Sequence, residues 1–153
     1  MNCKISVLAS GSSVNATYIS DGETQILIDV GLSGKALEKR LNKIDVNAAE
    51  IDAILVTHEH RDHVNGVGVI SRRYNIPIYA NDLTLEKSYD CIGNIEEKHC
   101  KIIQKDFSIG NIDIHPFSIS HDAVSPFAYL LYCNNKTIAI ATDMGYFDKK
   151  IVK

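Results

Sequence analysis

Residues 51–63 read Ile51-Asp52-Ala53-Ile54-Leu55-Val56-Thr57-His58-Glu59-His60-Arg61-Asp62-His63: an apolar, β-branched run that breaks into three histidines and a carboxylate. A short run of this kind reads as a buried core strand. Residues just past the end of such a strand are held by the core yet reach solvent, so they make rigid ligands. Of the six histidines in the chain, three fall in this one window of six residues. Neutral imidazole nitrogen and carboxylate oxygen are what Zn²⁺, Mn²⁺ or Fe²⁺ bind. The stretch is read as a metal site.

The spacing adds to the composition. His58 and His60 lie two apart, so in extended geometry their side chains leave the backbone on one side and can grip one ion. Asp62 and His63 are adjacent and are expected to open a helix, because Val64, Val67, Ile70 and Tyr74 recur behind them at helical spacing. The chain then turns between the two pairs, which suits two ions side by side better than one. A helix start aimed at the metals would add exposed N–H groups and a positive dipole end, favouring an anionic ligand.

The bulk properties bound the rest. At 153 residues the chain is one domain's worth, with 45% hydrophobic and 23% charged residues, ordinary for a soluble globular protein. No apolar run approaches a membrane span, and Met1-Asn2-Cys3-Lys4 shows no signal-peptide pattern, so a cytoplasmic location and no membrane association are expected. Cys3, Cys91, Cys100 and Cys133 show no C-x-x-C pairing and read as core or incidental thiols. A net charge of −3 gives no general basic face, which weighs against nucleic-acid binding by electrostatics alone. Lys35/Lys39/Arg40/Lys43, Arg72-Arg73 and Lys149-Lys150 read as solvated helix faces or ends. Bound divalent ions would nonetheless reverse the local charge and could hold phosphate themselves.

Along the chain, Lys4–Ala9, Thr17–Ser20 and Gln25–Asp29 are expected strands, with Asp21-Gly22 turning the second into the third. Leu37, Leu41 and Ile44 mark an amphipathic helix with Ser33 as N-cap, and Asn47-Ala48-Ala49-Glu50 reads as a capping box before the strand Ile51–Thr57. Pro77–Ala80 is a short strand, and Asn81 or Asp82 caps a further helix. Ile109-Gly110-Asn111-Ile112 and Cys133-Asn134-Asn135-Lys136 read as hairpin turns in a β-rich remainder. The mixture fits sheets covered by helices, an α/β or α+β layered domain.

Two later residues share the placement of the histidine-rich stretch, at the end of an apolar strand. His121 follows Pro116-Phe117-Ser118-Ile119-Ser120, and Asp143 follows Ile138-Ala139-Ile140-Ala141-Thr142. One more imidazole completes a three-histidine site, and a carboxylate can bridge it to a second ion. His115, in an alternating strand, and His99, in a charged stretch, lack that placement and are set aside.

At these residues the chain resembles the metallo-β-lactamase fold superfamily, whose signature is H-x-H-x-D-H followed by a distant His and a distant Asp. The closer resemblance is to the YycJ/WalJ group. It is carried by Leu8-Ala9-Ser10-Gly11-Ser12-Ser13, Ile28-Asp29-Val30-Gly31-Leu32-Ser33, Thr57–His63, Phe117–Ala123 and Ala141-Thr142-Asp143-Met144-Gly145, in the family's order. The resemblance implies an αββα sandwich with the site along one edge of two sheets. It implies that His58, His60 and His121 hold one metal and Asp62 and His63 another, with Asp143 bridging. Asp62 would also orient or deprotonate the attacking water, and Ser12 and Asn15 are substrate-binding candidates. Two divalent ions, Zn²⁺, Mn²⁺ or Fe²⁺, and 5′-to-3′ exonuclease action on double-stranded DNA are the implied cofactors and activity.

Two departures from the family pattern stand out. Val14 occupies the place of the family's glycine before Asn15. Members of the fold also continue well past the bridging Asp with a second sheet half and a further His, whereas ten residues follow Asp143 here and none is His. A single domain over 1–153, incomplete at its C-terminus and corresponding to the N-terminal half to two-thirds of such a protein, is therefore expected. Its second metal site would be incomplete, and its uncovered sheet face would be open to self-association. Within the superfamily, a histidine at His60 disfavours redox-active diiron chemistry, and a bridging Asp143 suits nucleases and thioesterases. A glyoxalase II-like thioester hydrolase and an inactive metal-binding fragment needing a complementing chain are the alternatives.

Overall fold

A computed structural model of the chain describes residues 3–10, 14–118 and 127–140. Alternation along the strands organises two sheets. The larger is six-stranded: β1 (Lys4–Ala9), β2 (Ala16–Ser20), β3 (Gln25–Val30), β4 (Ala53–Leu55), β5 (Ile78–Ala80) and β6 (Cys100–Ile102), in that spatial order. Its first three strands run antiparallel, and β3 to β6 run parallel. The smaller sheet, β7 (Phe107–Ile109), β8 (Ile112–Ser118), β9 (Phe127–Cys133) and β10 (Lys136–Ile140), is an antiparallel meander in the order β10-β9-β8-β7.

Period-two alternation on β3 and β4 divides the core. Ile26, Ile28, Ala53 and Leu55 point toward the smaller sheet and meet Ile112, Ile114, Tyr129 and Leu131, all fully buried or nearly so. Leu27, Val30, Ile54 and Val56 point the other way, into a layer of helices. That layer contains α1 (Gly34–Lys43), α2 (Arg61–Val64), α3 (Val67–Tyr74), α4 (Asp82–Lys87) and α5 (Tyr89–Ile92), which contribute Leu37, Leu41, Val64, Val67, Ile70, Leu85 and Ile92. Fully burying a side chain of this size stabilises the fold by roughly 1.5–3 kcal/mol. The described residues thus form a helix–sheet–sheet arrangement, three layers of the expected sandwich. None of the described helices is long and apolar enough to cross a membrane.

Local signals placed most elements. Ser33 caps α1 by accepting from the Ala36 N–H, Asn47 caps a 3₁₀ turn at Ala48–Glu50, and Asn81 caps α4. Two expectations change. The strand expected over Ile51–Thr57 pairs regularly only at Ala53–Leu55, because the Thr57 N–H turns from the ladder to the Asp29 carboxylate. The helix expected from Asp62 onward is broken into α2 and α3 at Asn65-Gly66. There the Gly66 N–H donates to the Val30 carbonyl at 2.8 Å, and a Cβ on Gly66 would lie 2.0 Å from the Leu32 carbonyl oxygen. Helical periodicity survives the break, so the sequence pattern did not reveal it. The dipole behind Asp62 and His63 is that of a single turn.

Candidate metal centre

The parallel strands β3 and β4 end at the same edge of the larger sheet, where an open α/β sheet places its ligands. Asp29 is the penultimate residue of β3, and the chain leaving β4 carries Thr57 to His63 across the same edge. The segment is tied from behind: the fully buried Tyr129 of β9 donates its hydroxyl hydrogen to the Val56 carbonyl at 2.6 Å. Burial, reinforced by the negative charge of Asp29, pushes the Tyr129 phenol well above its ordinary range, so it stays a donor.

Asp29 is the hub. It is 1% exposed and adopts a φ of 62°, a left-handed conformation that Asp tolerates better than most residues. One carboxylate oxygen accepts from the Thr57 N–H at 2.8 Å. The other accepts from the Thr57 hydroxyl at 2.7 Å and from His63 Nδ1 at 2.6 Å. These bonds fix ring chemistry by elimination. A carboxylate only accepts, so His63 carries a proton on Nδ1, which leaves Nε2 as the nitrogen able to ligate a cation. The Thr57 hydroxyl has one hydrogen and gives it to Asp29. His58 Nδ1, 2.9 Å from that oxygen, must therefore be the donor, which puts the His58 lone pair on Nε2 as well. A carboxylate behind a histidine, orienting it and raising its basicity, is the usual support of a metal-binding imidazole.

The three rings gather. His58 lies 4.7 Å from His60 and 4.0 Å from His63 between centroids, and His58 and His63 are fully buried. Asp62 reaches the same point, with its Oδ2 3.3 Å from His63 Nε2. Asn15, from the loop before β2, donates its carboxamide to Asp62 Oδ2 at 3.0 Å and lies 3.2 Å from His63 Nε2. Imidazole lone pairs held on Nε2 beside an ionisable carboxylate suit a divalent cation, so the donor set fits the expected metals. Among the described residues, no three His, Cys, Asp or Glu groups form a closed set around one ion. His121, Asp143 and Ser12 lie outside the described residues. His115 is far from this chemistry in role: its Nδ1 pairs with Asp106 at 2.6 Å on the smaller sheet.

Sequence reasoning singled out four of the gathered side chains and Asn15, but missed Asp29, Thr57 and Tyr129. Asp29 carried a usable signal in the sequence, a lone acid directly after an apolar run, the same signal that singled out Asp143. Tyr129 carried none.

Comparison with known proteins agrees with the geometry. The metallo-beta-lactamase superfamily model matches residues 9–152. The chain belongs to the metallo-beta-lactamase superfamily. Within that superfamily it is 40% identical over 153 residues to exodeoxyribonuclease YycJ of Bacillus anthracis, covering 99% of this chain and 58% of that protein. It is also 40% identical over 152 residues to exodeoxyribonuclease WalJ of Streptococcus pneumoniae serotype 2, covering 97% of this chain and 56% of that one. The resemblance to the YycJ/WalJ group is thus borne out, and the chain spans less than two-thirds of the length of these relatives. The solved metallo-beta-lactamase fold protein YhfI of Bacillus subtilis shares the fold at a TM-score of 0.74 and 21% identity, over 95% of this chain and 64% of that one.

Proposed function

We propose that the chain carries the first part of a metal-dependent phosphodiesterase centre, acting as a 5′-to-3′ exonuclease on double-stranded DNA. The observation that carries the hydrolase reading is the buried relay Asp29–His63 beside Asp62 and His58, with both buried imidazoles presenting Nε2. The substrate class rests on the 40% identity to two proteins named exodeoxyribonucleases. His58, His60 and His121 are assigned to one ion and Asp62 and His63 to the other, with Asp143 between them. Divalent ions there supply charge neutralisation on the scissile phosphate and lower the pKa of water in the site.

The chain's own residues do the rest. Asp29 and Thr57 hold the two buried rings in the required tautomer without taking part in proton transfer. Asp62, 22% exposed beside the buried His63, is assigned to orient a water and accept its proton. DNA as substrate fits a cytoplasmic location. Ile5 and Val7, exposed on β1, support self-association through an uncovered sheet face.

The test is a manganese- or zinc-supplemented digestion of blunt linear duplex DNA, labelled at either the 5′ or the 3′ end, with Asp62→Asn as control. Early release of the 5′ label, abolished in Asp62→Asn and by chelator, is the expected result. Metal-loaded chain that leaves the DNA intact yet cleaves a glutathione thioester would replace this reading with the thioesterase one.

A further inference from the structure

The resemblance makes Asn15 a substrate-binding candidate, but its carboxamide geometry gives it other work. Asn15 Nδ2, Asp62 Oδ2 and His63 Nε2 form a near-equilateral triangle with sides of 3.0, 3.2 and 3.3 Å. A primary amide nitrogen carries two hydrogens, and the triangle offers two acceptors. One is a carboxylate oxygen. The other is the imidazole nitrogen opposite the Nδ1 that donates to Asp29. The amide thereby joins the carboxylate oxygen and the imidazole nitrogen at this separation.

Asn15 is itself held firmly. It is 8% exposed, and its backbone carbonyl accepts from the Gly31 N–H at 2.8 Å. Gly31 is the spacer that brings residues 15 and 62 shoulder to shoulder. A Cβ there would lie 1.8 Å from the Asp62 carbonyl oxygen and 2.7 Å from the Asn15 nitrogen. The amide is therefore fixed by backbone on both sides, as a template must be.

Resting on the metal-centre reading above, we propose that Asn15 is a positioning residue: it holds the Asp62 carboxylate and His63 Nε2 at ligand separation before a divalent cation arrives. It acts on the Asp62–His63 pair and so sets the affinity of one ion of the two. The Nε2 contact gives way to the ion while the bond to the Asp62 carboxylate can persist, and groups that orient ligating carboxylates or imidazoles change affinity by about 10- to 100-fold when removed.

The test resolves the two ions by following the ring nitrogens of His58, His60 and His63 by NMR during a zinc titration of ¹⁵N-histidine-labelled chain, parent and Asn15→Leu. The expected result is a His63 midpoint about tenfold higher in Asn15→Leu, with the His58 and His60 midpoints unmoved. An unchanged His63 midpoint overturns the proposal, and so does an equal rise at all three rings, which would mark general damage to the fold. A second reading needs no variant. In the metal-free parent chain, both Asn15 side-chain amide protons should be shifted downfield and protected from exchange. Solvent-like shifts and exchange would overturn the assignment. If His58 and His60 respond to zinc and His63 does not, this inference falls alone. If none of the three responds, the metal-centre reading falls with it.

Discussion

His63 donates through Nδ1 to the buried carboxylate of Asp29 at 2.6 Å, across 34 positions of sequence. This contact joins the end of β3 to the first turn after β4, and it decides which nitrogen of His63 faces the site. Asp29→Asn keeps the shape but weakens the acceptor and can offer a donor in its place. Zinc affinity measured against a chromophoric chelator should fall by about 10- to 100-fold, the usual consequence of removing a group that orients a metal ligand. Unaltered affinity would show that the ring needs no such support.

Gly31 predicts a steric result. The atoms a Cβ would meet, at 1.8 and 2.7 Å, belong to the Asp62 and Asn15 backbones and cannot rotate away. Gly31→Ala should therefore destabilise the chain by about 3 kcal/mol, the upper end for overpacking a closed site. Urea denaturation of the metal-free chain gives the number. A loss within experimental error would mean that the two segments separate easily.

Much of this centre was legible in the sequence, and the limits of legibility are physical. The donors of the histidine-rich stretch announce themselves because adjacent residues at a strand end share a neighbourhood by covalent geometry. The apolar runs of β3 and β4 likewise marked buried strands, but a run apolar on both faces does not tell which side chain enters which core layer. Asp29 and Tyr129 escaped because their partners are brought close by topology, over 28 to 73 positions, and no local spacing encodes that. The break at Gly66 escaped for a related reason. It answers a close approach by Leu32 and Val30, while the apolar period runs through it undisturbed.

Tyr129 links stability to pH. Its phenol is raised well above the ordinary range, first by burial and then by Asp29. Above about pH 10 the unfolded chain can release this proton and the folded chain cannot, so the unfolded state gains. The stabilisation is complete below that pH and is lost as pH rises beyond it. Tyr129→Phe should cost about 1–2 kcal/mol near neutrality through the lost bond to Val56, yet flatten the alkaline decline. Tyr18, Tyr74 and Tyr79, also raised, leave part of the slope in place. Denaturation curves at several pH values above 9 distinguish the two cases; parallel declines would contradict this role.

The central claim is that folding brings imidazoles and carboxylates from distant strand ends to one point for divalent cations. Its most direct measurement is a crystal structure of the zinc-loaded chain with an anomalous difference map at the zinc edge. Peaks within coordination distance of His58 and His60, and of Asp62 and His63, with the 121 imidazole and 143 carboxylate closing around them, are the predicted result. A map with no peak at these side chains, or with zinc bound only elsewhere, would contradict it.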